Sequence, residues 1–185
     1  MTEQEKPPAK MAPLQEPWLR GTHSDVPPIE RALFHSLEMA REDVNRWCTG
    51  LTDEEVHTRL STLPSLAFQI RHIARSLGRF MSYLDGEALT AAQLQALAEE
   101  REPSETQEQI FGEFARAVDA TERGIASRLG RPLDAPLKIG RKGLPTTHGG
   151  LLVHMAEHTQ RHVGQAITTA KLVVAQRSKE PARSA

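Results

Sequence analysis

The chain has a single cysteine, Cys48, in 185 residues. That excludes an internal disulfide and fits a reducing cytoplasm. Charge of one sign is also lacking: 23 basic and 24 acidic residues leave a formal net charge of −1. No lysine/arginine block with interleaved aromatics occurs, so the electrostatic footprint of a nucleic-acid binder is missing. No apolar run reaches the roughly 20 residues that a membrane-spanning helix needs. Even the last apolar segment is interrupted by Glu157, Arg161 and Lys171. The opening MTEQEKPPAK has no apolar core of the kind a signal peptide carries. Period-two alternation is absent over any useful length, so strands are not expected. These absences predict a soluble, cytoplasmic, globular protein with one core and neither a membrane nor a nucleic-acid partner.

What is present is helical rhythm. Residues 1–18 are rich in Pro, Glu, Lys and Gln and read as a mobile N-terminal arm, with Trp18 and Leu19 expected to dock onto the body. Residues 177–185 read as a mobile tail, which leaves 19–176 for the folded domain. Leu33, Leu37, Ala40, Val44, Trp47 and Leu51 recur at intervals of three and four, which predicts a first helix with those residues inward. After Pro64, Leu66, Ile70, Ile73, Leu77, Phe80 and Leu84 repeat the pattern. A third helix is expected from near Ser104, with Ile110, Phe114, Val118, Thr121, Ile125 and Leu129 on one side. The fourth begins at Thr147, a plausible N-cap, and runs to about Ala175. Thr52 and Glu55 resemble a capping box for a short extra helix, and Thr90 to Glu100 allows another. Four such amphipathic segments predict an all-α, antiparallel four-helix bundle.

The connection Gly130 to Thr146 breaks this rhythm with glycines and prolines around Lys138, Arg141 and Lys142. Loops this long inside compact domains are usually functional or disordered. Two readings stay open: a cover that offers positive charge to an anionic ligand, or a solvated basic loop.

Histidine is the unusual ingredient. His154, His158 and His162 recur every fourth residue, which returns them to nearly one helix face. On the same flank lie Leu151, Gln165 and Thr169, while Glu157, Arg161, Gly164, Thr168 and Lys171 mark the solvent side. The second helix carries a polar, uncharged stripe of Ser65, Gln69, His72, Ser76 and Tyr83, with Arg71, Arg75 and Arg79 expected in solvent. If the two flanks face each other, His72 meets the His158–His162 pair. Periodicity alone leaves this metal reading level with hydrogen-bonded core histidines, the reading assigned to His35 and His57. His23 and His148 are expected to be solvated. Gly164 reads as room beside the site or a close backbone approach. Cys48 reads as structural.

The segment His154-Met-Ala-Glu-His158-Thr-Gln-Arg-His162-Val-Gly-Gln165, following Gln69-Ile-Arg-His72-Ile-Ala, resembles the DinB-like family of four-helix bundles from about Pro27 to Ala175. The resemblance implies a divalent metal held by His72, His158 and His162, with zinc or nickel foremost and iron or copper as alternatives. His154, Gln165, Gln69 and Ser76 would then be neighbours or pocket residues of the ligands. Val163 stands where many relatives have arginine, and Ser76 where many have an acidic residue. The family includes metal-dependent transferases that use low-molecular-weight thiols and relatives proposed as hydrolases. The implied function is activation of a thiol or of water for a small-molecule substrate, in a homodimer. The alternative is a non-catalytic bundle whose metal supports folding or pairing. DNA binding is raised only by the family's name, and the balanced charge argues against it.

Overall fold

The structure is a computed structural model and describes residues 15–101 and 105–177. Most of the expected N-terminal arm, the tail beyond Arg177 and the expected helix start at Ser104 lie outside the described residues.

Among the described residues six α-helices form, and local chemistry starts them. Helix α1, Pro28–Trp47, opens on a proline whose missing N–H is no loss at a first-turn position. The short α2, Asp53–His57, is opened by the anticipated capping box, in which Thr52 and Glu55 each satisfy the other's backbone N–H. Ser65 caps α3, Leu66–Leu84. Capping boxes Thr90/Gln93 and Thr106/Gln109 open α4, Ala91–Glu99, and α5, Gln107–Ala126. Thr147 Oγ1 accepts from Gly150 N at 3.1 Å and starts α6, His148–Arg177.

The four long helices close on one core. Leu33, Leu37, Ala40 and Val44 of α1, Ile70, Ile73 and Leu77 of α3, Ile110 and Val118 of α5, and Met155, Val163 and Ala166 of α6 are all buried. Leu37→Ala is expected to cost about 2–5 kcal/mol, the usual range for emptying such a site. Pairings along the helices set their directions. Ser36 bonds the Ala156 carbonyl while Lys171 sits over Trp47, so α1 and α6 run parallel. Arg75 meets Glu113 and Asp85 meets Arg128, so α3 and α5 are parallel too. His72 meets His158 while Phe80 meets His154, so α3 and α6 are antiparallel. The all-α bundle stands. The long crossover through α4 is what lets consecutive long helices α3 and α5 share a direction.

Several expectations are corrected. Trp47 is 40% exposed, because α1 ends there and Cys48 and Leu51 take the core positions. Leu129 is exposed, since α5 stops at Ala126. Trp18 and Leu19 stay exposed; the segment attaches through buried Pro17 and a two-pronged Arg20–Glu42 pair. Arg71 and Arg79 are not in solvent but buried, because α4 and the chain leading to α5 cover that face of α3. The 130–146 connection is not structureless: β1, Pro136–Ile139, pairs antiparallel with β2, Leu144–Thr147, as a hairpin. Gly140 and Gly143 turn it with positive φ, a conformation that disfavours other residues. Its four-residue strands are too short to register as an alternating pattern. No helix among the described residues is long and apolar enough to cross a membrane.

Candidate metal centre

Because α3 and α6 are antiparallel, the flank of one presents to the flank of the other. His72 on α3 and His158 and His162 on α6 each offer a ring nitrogen, and the three nitrogens lie within 4.8 Å of one another. The Nε2 atoms of His72 and His158 are 3.3 Å apart. Two ligands each about 2.0–2.1 Å from a tetrahedral ion stand roughly 3.3 Å apart, so the spacing fits a shared cation.

The other ring nitrogens determine which face of each imidazole is free. His72 Nδ1 donates to Glu100 Oε2 at 2.8 Å, and His162 Nδ1 donates to Gln69 Oε1 at 2.7 Å. Both hydrogen bonds place the proton on Nδ1 and leave Nε2 with a bare lone pair. The buried Nδ1 of His158 has no partner. Phe68 stacks on His72 with ring centroids 5.5 Å apart, and Phe80 sets its edge against His154 and His158. Burial, reinforced by His162 and His72, pushes the His158 imidazole down to about 3. Burial and the neighbouring His72 and Arg161 push His162 down to about 4, although Gln165 acts in the opposite direction. Both rings are therefore neutral near pH 7, the form that binds a metal. The donor set fits a borderline divalent ion.

A carboxylate does reach His72, from the end of α4 rather than from the position one turn on, which Ser76 occupies. Glu100, just past the end of α4, is 3% exposed and bridges His72 to Arg79, whose Nη1 donates to Glu100 Oε1 at 2.5 Å. Burial alone would raise this carboxyl, yet the hydrogen bonds from His72 and Arg79 hold it below the ordinary range. Arg79 Nη2 also donates to Ser76 Oγ at 2.8 Å, and that hydroxyl lies 3.5 Å from His72 Nε2. Sequence reading missed Glu100. No sequence signal pointed to it: Arg79, seven residues after His72 and so on the same face, reads there as a solvated arginine, and only the structure shows that it is buried against an acidic partner.

The remaining candidates divide. Gln69, 1% exposed, accepts from His162 Nδ1 and so sets the orientation of that ring. Gln165 is exposed, and its side-chain hydrogen bond to His162 works against the downward push of burial on that imidazole. His154 turns outward to Glu157, with its Nδ1 2.8 Å from Oε1, and lies outside the three-nitrogen group. Lys138, Arg141 and Lys142 are exposed on the hairpin and make no hydrogen bond or ion pair with the cluster. Gly164 has open space where a Cβ would sit, which supports room over close approach. His35 and His57 are hydrogen-bonded, to Thr22 and to the Glu105 carbonyl. His148 departs from expectation: it is 2% exposed, and burial lowers its imidazole. Cys48 is fully buried, which pushes its thiol up to about 12.

Fold and site together define a four-helix bundle with a three-histidine cluster between two antiparallel helices. A family model described as the DinB superfamily matches residues 36–166, well over half of the chain and all three histidines. The chain belongs to the DinB superfamily. No curated protein matches it.

Proposed function

We propose that the protein is a metal-dependent enzyme that activates a low-molecular-weight thiol for S-transfer, or water for hydrolysis, at His72, His158 and His162. The observation that carries this reading is the convergence of three imidazole nitrogens within 4.8 Å. Three protein ligands are the number found at reactive sites, which keep a coordination position open; structural sites close with four. Zinc or nickel suits neutral imidazoles best, with iron and copper next. When bound, such an ion supplies a Lewis acid that lowers the pKa of a nearby thiol or water.

The chain's own residues prepare the site. Glu100 and Gln69 each hold a proton at Nδ1 of a ligand ring and so aim its Nε2 inward. Phe68 and Phe80 flank the rings with apolar surface. Arg79 anchors Glu100 and Ser76 on the same wall. A small-molecule substrate, a cytoplasmic setting and a homodimer complete the proposal. Exposed Leu94 and Leu97 on α4 support pairing, and the lone buried cysteine supports a reducing setting. The test mixes metal-loaded protein with a panel of bacterial thiols and a chromogenic electrophile. A rate well above that of the His158→Ala protein supports the reading, and equal rates remove it.

A further inference from the structure

Beside the histidines, a cavity of about 330 Å³ opens between α6 and the segment leading into α3. Gln69 forms part of its wall while accepting from His162 Nδ1, so the cavity and the cluster share a residue. Arg161, Gly164 and Gln165 line it from α6, and Leu63 and Pro64 close it opposite. At Leu63 it meets a second hollow of about 350 Å³, bordered by Leu60, Ser61, Leu172 and Ala175. Each volume is within the range of about 300–1,000 Å³ typical of small-molecule sites. From Arg161 to Ala175 the α6 wall is roughly 20 Å long at 1.5 Å per residue.

The groove has two unlike ends. Near the histidines it is polar and cationic, and no acidic side chain lines either hollow. Among the described residues Arg161 pairs with Glu157 at 3.6 Å, and both are more than half exposed. Such a surface pair is weak, so the guanidinium is free to take a carboxylate in its place. The far end exposes Leu63 and Leu172 by more than two-fifths each. The wall between carries two further marks. Ser61 has φ +56, a conformation rare for a residue with a side chain. Gly164 leaves open the volume that a side chain would fill.

We infer that this groove binds an elongated amphipathic organic anion, its carboxylate on Arg161 beside the histidines and its apolar arm over Leu63 and Leu172. This deepens the proposed function by naming the class of substrate the site receives. It rests on that reading only for the identity of the groove as a substrate site.

The test titrates zinc-loaded protein with decanoate, decylamine and decanol, with calorimetry as the readout. One equivalent of decanoate binds, more tightly than decylamine. Gly164→Leu fills the open volume with a better helix former, so folding is preserved, and weakens decanoate by about tenfold or more. Arg161→Gln removes the preference for the anion while decanol binding persists. Unchanged affinity in Gly164→Leu, or equal binding of the amine, overturns the inference. So does binding confined to phosphatidylglycerol vesicles with none of free decanoate. Metal content is measured on the same samples. Decanoate binding without any metal uptake would count against the proposed function and leave the groove standing.

Discussion

Nδ1 of His72 donates to Oε2 of Glu100 at 2.8 Å, and Glu100 is in turn held by buried Arg79. The pair ties a candidate ligand on α3 to the end of α4. It fixes the His72 tautomer and leaves Nε2 facing His158.

Glu100→Gln keeps the shape but removes the charge. Metal affinity is expected to fall about 10–100-fold, the usual effect of losing such a partner. Competition with a chromophoric chelator measures it. The visible spectrum of the cobalt-substituted variant should shift, because His72 is reoriented. Wild-type affinity and spectrum would remove Glu100 from the account.

Acid should weaken the metal-free fold in a defined window. His158 and His162 have folded pKa values of about 3 and 4, below the ordinary 6.5. They stay neutral in the fold while the unfolded chain takes up their protons below pH 6.5. The stability they contribute is therefore fully present above pH 6.5 and is lost as pH falls toward 4 and then 3. His148, also lowered by burial, acts in the same direction. The stability from carboxylates such as Glu55, lowered to about 2 by Arg177 and Thr52, is fully present above their ordinary 4.5 and is lost only below it, outside this window. Denaturant melts between pH 7.5 and 5 should show decreasing stability, with a smaller decrease in a His158→Gln/His162→Gln protein. A flat profile contradicts the assignment.

Cys48 should be inert while the protein is folded. Its thiol is fully buried and pushed up to about 12, so almost no thiolate exists near neutrality. A disulfide reagent such as Ellman's should label it only at the rate of unfolding, and at once in denaturant. Rapid labelling of native protein contradicts this.

Arg79 should matter to stability more than a surface arginine. It is a nearly buried partner of Glu100, and removing one member of such a pair typically costs about 3–5 kcal/mol. Arg79→Met is expected to lower the melting temperature clearly, whereas Arg161→Gln, on an exposed residue, should shift it little.

The helices and the alignment of His158 with His162 are legible in sequence because both depend on periodicity, whereas His72 joins them only through the resemblance, since it lies on another helix. The three–four repeat brings Leu33, Leu37 and Val44 inward, and the four-residue spacing aligns His158 with His162. Glu100 was not legible. It lies 28 residues from His72 in sequence, past the end of a helix with no buried residue of its own, and only tertiary docking brings it in. The same docking hides Arg71 and Arg79, which a helical wheel of α3 alone places in solvent. Trp47 and Leu129 failed for a simpler reason: their helices end just where the repeat was extrapolated.

The most direct measurement is elemental analysis of gently purified protein and its His72→Ala, His158→Ala and His162→Ala variants, with folding checked by circular dichroism. The account predicts about one divalent ion per wild-type chain and far less in each folded variant. One full equivalent retained in the folded His72→Ala protein, or none in the wild type even after metal is supplied, would contradict it.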